Sequence, residues 1–86
     1  MSLTLEIVDP TGVRVCEEGL DRIVLRRREP GHDPGSEVAI YPRHGPLLMR
    51  TQACRIRVHH GELIRELDAK AGVLEVLDDH VTLVET

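Results

Sequence analysis

Apolar residues recur at every second position through most of the chain, which is the periodicity of a strand with one buried face. In Leu3-Thr-Leu-Glu-Ile-Val8, the side chains of Leu3, Leu5 and Ile7 share one side. Asp9-Pro-Thr-Gly12 carries turn chemistry, Pro presetting φ and Gly tolerating positive φ. Val13 and Val15 then alternate with Arg14 and Cys16, so the first two strands read as a hairpin. A third strand is expected over 20–25, ending in Arg26-Arg27-Arg28. Glu29-Pro-Gly-His-Asp-Pro-Gly-Ser36 has too many prolines and glycines for a helix or a central strand, and reads as a surface loop.

A short strand over 38–41 should stop at Pro42. Pro42-Arg-His-Gly-Pro46 makes a second rigid turn, and Leu47-Leu-Met49 opens the next strand. Alternation is clearest from Cys54: Cys54, Ile56 and Val58 face one way, Arg55, Arg57 and His59 the other, with a turn at His60-Gly61. The segment 62–70 is ambiguous, because Leu63, Ile64 and Leu67 also fit a helical stripe. A strand is favoured there, since both neighbours are strands and the stretch is short for a stable helix. Strands over 73–77 and 81–84, joined by Asp78-Asp79-His80, close the chain. About eight or nine short strands with turn signals every ~8–10 residues predict an all-β sandwich or barrel. No repeat or linker interrupts the pattern, and residues 1–86 are expected to form one domain.

Composition narrows the core. The 86 residues include no Phe, no Trp and only Tyr41 among the aromatics, so Val, Leu and Ile must fill it. A net charge of −4, without basic excess or stacking aromatics, argues against nucleic-acid binding. No charged-then-apolar leader and no apolar run near the ~18 residues of a membrane span are seen, so a soluble, cytosolic chain is expected. It could still serve a membrane complex from outside the bilayer. Cys16 and Cys54 are too few for a disulfide framework and are expected to be reduced, packed thiols.

Chemistry is hard to place. His59 and His60 are neighbours on a strand and should face opposite ways, and no Cys-x-x-Cys or His-x-x-x-His spacing supports a metal site. They read as solvated turn residues. No His is paired in sequence with Cys16 or Cys54 for nucleophilic catalysis. Glu17-Glu18 and Asp78-Asp79 read as solvated carboxylates. No catalytic residue, metal or cofactor is expected. Arg26, Arg27 and Arg28 suit either a docking patch for an acidic partner or a strand end protected by charge.

One stretch is more specific. Ser36-Glu-Val-Ala-Ile-Tyr-Pro-Arg-His-Gly-Pro-Leu-Leu48 resembles the signature of the epsilon subunit of rotary ATP synthases, approximately Gly-Glu-x-Gly-Ile-x-Pro-Gly-His-x-Pro-Leu-Leu. Glu37, Ile40, Pro42, His44, Pro46, Leu47 and Leu48 match. Leu5-Glu-Ile-Val-Asp-Pro-x-Gly12 looks like the family's opening strand and turn, and Ala71 to Val76 with Val81 to Val84 looks like its closing hairpin. The resemblance implies a flattened two-sheet β-sandwich that acts as a non-catalytic rotor subunit. It would bind the gamma subunit of the central stalk and touch the polar loops of the c-ring, coupling proton or sodium translocation to ATP synthesis or hydrolysis. Glu37, Tyr41, Arg43 and His44 would make the c-ring contact, placing the chain peripherally at the cytoplasmic face of the inner membrane.

The departures also carry expectations. Ser36, Ala39 and Arg43 stand where the family has glycine, so an altered backbone is expected there. The stretch from Arg26 to Gly35 is longer than usual, and Thr86 leaves no residues for the family's C-terminal helical hairpin. An 86-residue chain is therefore expected to lack hairpin inhibition and ATP sensing, as in a divergent paralogue from a second operon. The competing functions are a free-standing sandwich that binds a small ligand or metal, and a regulatory decoy that occupies gamma.

Overall fold

A computed structural model of the chain describes residues 1–27 and 37–86; the proposed Glu29–Ser36 loop and Arg28 lie outside them. Nine strands are present among the described residues: β1 (Leu3–Asp9), β2 (Gly12–Leu20), β3 (Arg22–Arg27), β4 (Val38–Ile40), β5 (Leu47–Thr51), β6 (Cys54–His60), β7 (Leu63–Ala69), β8 (Gly72–Leu77) and β9 (His80–Glu85). They form a five-stranded sheet, ordered β2-β1-β9-β8-β5, and a four-stranded sheet, ordered β4-β3-β6-β7. Every pairing is antiparallel except β1 with β9, which joins the two ends of the chain side by side. The arrangement is a two-sheet sandwich, not a barrel.

The period-two alternation becomes the core directly. Leu3, Leu5 and Ile7 of β1, Leu74 and Val76 of β8, and Val81 and Leu83 of β9 are buried from one sheet. Ile23 and Leu25 of β3, Ile40 of β4 and Cys54, Ile56 and Val58 of β6 meet them from the other. Each fully buried aliphatic side chain contributes about 1.5–3 kcal/mol, so branched residues suffice without aromatics. The segment 62–70 is β7, as its neighbours suggested, but it is an edge strand: Leu63 and Ile64 are exposed and only Leu67 is half-buried.

Turn chemistry accounts for the hairpins. Asp78 and Asp79 both have positive φ (50° and 63°), the two-residue type I′ geometry that matches the twist of the flanking strands. Gly61 (φ 61°) precedes Glu62 in a turn of the II′ kind between β6 and β7. Asp9 Oδ1 accepts hydrogen bonds from the Thr11 amide (2.8 Å) and hydroxyl (2.5 Å), fixing the β1–β2 turn.

Several expectations are corrected. Cys16 is exposed, because its pairing with Glu6 puts it on the outer face of the five-stranded sheet; only Cys54 is buried. The register shift between Ile7 and Val8 puts Val13 opposite Val8, on the outer face, where it is exposed. Leu20 ends β2 instead of starting β3, and the chain breaks at Asp21. Glu17 is half-buried and ion-paired to Arg65 across the two sheets. Asp79 anchors structure, as described below.

Among the described residues, one charged side chain is buried. Glu85 (4% exposed) receives a forked pair from Arg14, Nε to Oε1 at 2.9 Å and Nη2 to Oε2 at 3.0 Å. The Lys70 amide donates to Glu85 Oε2 (2.8 Å), and Arg14 Nη2 also reaches the Asp68 carbonyl (3.0 Å). Strands from both sheets are thereby tied at one end, and the Arg14 hydrogen bond holds the Glu85 carboxyl below its usual range against the opposing effect of burial.

Candidate functional site

Four of the loops or turns gather at the end of the sandwich opposite Glu85: Asp21, Tyr41–Pro46, Gly61–Glu62 and Asp78–Asp79. Strand β4 ends at Ile40 because Pro42 has no amide to continue a ladder. The His44 amide donates to the Tyr41 carbonyl (3.2 Å), closing the turn. The Arg43 amide donates to Asp79 Oδ1 (2.6 Å), so the β8–β9 turn braces this one. His44 Nδ1 lies 2.6 Å from the Gly45 carbonyl oxygen, which orients a half-buried imidazole.

Arg43 sits at φ 67°, the left-handed conformation glycine adopts most readily. The Asp79 hydrogen bond helps to hold an arginine in this geometry. Ala39 lies in β4, and Ser36 is outside the described residues.

Beside the turn, one row crosses the outer face of the four-stranded sheet: Tyr41, Arg22, His59, Ile64. The Arg22 guanidinium carbon is 5.9 Å from the Tyr41 ring centroid, and Nη1 is 3.4 Å from its hydroxyl. Arg22 Nη2 lies 3.0 Å from His59 Nε2 and 3.3 Å from Nδ1. Desolvation first, then the charges of Arg22 and Arg57, push the His59 imidazole below its ordinary pKa, so it stays neutral and can accept from Arg22. His59 is thus a strand residue with a partner, not a solvated turn residue; of these two neighbours, His60 is the exposed one. Sequence reasoning missed Arg22 and Asp79. The alternation of β3 and β6 could have placed Arg22 beside His59, but nothing local revealed the Asp79 contact.

The four expected contact residues do not form one cluster. Tyr41, Arg43 and His44 share the turn. Glu37 lies before β4, roughly 13 Å of extended chain from Tyr41, and pairs with Arg26 (3.4 Å) at the other end of the sheet. Of the arginine run, Arg26 lies on the outer face opposite Arg55, the backbone of Arg27 pairs with that of Cys54, and Arg28 is outside the described residues.

Exposed apolar side chains concentrate at the turn end. Met1, Tyr41, Leu48, Leu63, Ile64 and Leu77 are all there, whereas Val13 and Val84 lie toward the other end. Among the described residues, no three His, Cys, Asp or Glu side chains converge as metal ligands. Among the described residues, a cavity of about 480 Å³ opens between β4 and β5 over Leu25, Val38, Met49 and Leu74; Cys54 lines it without a histidine. No described helix is long and apolar enough to cross a membrane.

No family model matches the sequence, and no curated protein matches it. Among solved structures, the fold is similar to a chain in the Tetrahymena thermophila mitochondrial ATP synthase, from the structure of its central stalk and c-ring, with a TM-score of 0.69. The match covers 98% of this chain and 63% of that one, at 10% sequence identity. What the two share is the fold: an all-β architecture that recurs in an ATP synthase central-stalk and c-ring assembly.

Proposed function

We propose that this chain is a non-catalytic, epsilon-like rotor subunit of a rotary ATP synthase or ATPase. It binds the gamma subunit and rests against the polar loops of the c-ring, peripheral to the membrane through that complex. The observation that carries this reading is the braced Tyr41–Pro46 turn, standing at the sandwich end where exposed apolar side chains gather. The fold likeness and the ordered sequence resemblance support the same assembly.

The geometry suits transmission of torque. A Pro-bounded turn locked by the Arg43–Asp79 hydrogen bond keeps its shape under load, and it displays a phenol, a guanidinium and an imidazole toward a partner. Exposed ionic contacts are individually weak, about 0–1 kcal/mol, so polar residues here fix register while the apolar neighbours supply holding force. Glu37 and Arg26, at the other end of the four-stranded sheet, would make a separate contact with the partner. No step of the proposed role makes or breaks a covalent bond.

Co-expression with a gamma subunit from the same organism, followed by size-exclusion chromatography, tests the reading. A stoichiometric complex is expected. Separate elution of a folded chain and a folded gamma subunit would refute it.

A further inference from the structure

The two sheets leave four edges: β2, β5, β4 and β7. Unpaired strand edges invite pairing with another chain, and proteins usually blunt them. Three are blunted here. The pairing of β2 shifts register twice, β4 has three residues, and β5 has five and starts directly after Pro46. Strand β7 is different: seven residues without proline, in unbroken register from His60–Leu63 to Cys54–Ala69, with Leu63 and Ile64 exposed at 69% and 57%.

Hairpin geometry says which backbone groups the edge offers. A two-residue turn is closed by a pair that exchanges both ladder hydrogen bonds, here His60 and Leu63. Alternation then turns the N–H and C=O of Leu63, Arg65 and Leu67 toward β6, and those of Ile64, Glu66 and Asp68 outward. The hydrogen bond from Arg14, on β2, to the Asp68 carbonyl fits this phase. No described strand pairs with the outward groups of Ile64 and Glu66.

Charge defines the occupant. Across the outer face, β6 contributes Arg55 and Arg57, and β7 answers with Glu66 and Asp68 at 3.4–3.6 Å. An added strand would lie beside the acidic column, where a basic side chain is favoured and an acidic one opposed. Beside Ile64 it needs an apolar residue, two positions away along the same face.

We propose that the β7 edge accepts an extended strand of the protein partner, apolar beside Ile64 and basic beside Glu66, adding a fifth strand to the four-stranded sheet. This rests on the rotor reading, under which the partner is the gamma subunit. The test is hydrogen–deuterium exchange on the co-purified complex with gamma, with two variants. Exchange in the peptide 63–69 should slow at least tenfold on binding. Glu66→Pro removes an outward N–H that β6 does not use, and Ile64→Lys changes an exposed side chain. Each variant should weaken gamma binding at least tenfold while the free chain stays folded. A complex with unchanged exchange over 63–69, and variants that bind like the original chain, would overturn the strand addition and leave the rotor reading standing. Absence of any complex with a folded gamma subunit would overturn both.

Discussion

Arg43 and His44 illustrate how far single residues could be read in advance. The sequence resemblance singled out both, and the Pro-bounded turn was legible because proline and glycine punctuate 42–46 so heavily. Its brace was not, since Asp79 lies 36 positions away in sequence and only the assembled hairpin brings its carboxylate to the Arg43 amide. His44→Ala removes a side-chain contact to a neighbouring carbonyl, leaves the backbone hydrogen bond to Tyr41 intact, and should change stability by less than about 1 kcal/mol. Assembly with gamma and the c-ring should weaken; thermal denaturation alongside co-purification separates the two effects. Glu85 behaves oppositely, as a structural charge. Its pKa is lowered in the folded state, so its contribution is fully present above the ordinary value of 4.5 and is lost as pH falls through the lower folded value. Glu85→Gln should therefore flatten the acid limb of the stability–pH curve, measured by urea denaturation between pH 3 and 7. An unchanged acid limb would show that the Arg14–Glu85 pair contributes little.

At the scale of elements, the period-two pattern predicted about eight or nine strands, of which nine are described, and placed Leu3, Leu5, Ile7, Cys54, Ile56 and Val58 on shared faces that are buried, because a half-buried strand writes its burial directly into the sequence. It failed where that link breaks. Strand β7 carries Leu63 and Ile64 in solvent, so apolarity there reports an open edge instead of a buried face. Bulges in β2 uncouple Val13 from the alternation, and no sequence signal marked them. Leu74, wholly buried in β8 between β5 and β9, is a sharp test of the core. Leu74→Asp leaves a carboxylate without water or partner, at a cost of several kcal/mol, and should abolish cooperative melting by circular dichroism. Gly72 tests a subtler contact. A Cβ there would overlap the Val84 carbonyl oxygen of the paired strand, which is rigid backbone. Gly72→Ala should cost at least about 1–3 kcal/mol in chemical denaturation, far more than an exposed strand position would.

Over the whole molecule, the described sandwich measures 34 × 30 × 24 Å and divides its labour between two ends. One end is closed by Arg14, Glu85 and Lys70, an internal network that ties both sheets. The other presents the braced turn, the Tyr41–Arg22–His59 row and most of the exposed apolar side chains. The fold class was legible from strand spacing and the resemblance together. The grouping of the site was not: Glu37 and His44 are close in sequence, yet an extended strand carries neighbours apart, and β4 leaves Glu37 with Arg26. Polarity between the ends is the central claim, and photo-crosslinking in the assembled complex with gamma and the c-ring tests it most directly. A photoreactive residue replaces His44 at the turn end in one sample, and Thr11 at the opposite end in another. The expected result is crosslinking to the c-ring from position 44 and none from position 11. Crosslinks to the c-ring from position 11, with position 44 silent, would contradict the proposed orientation.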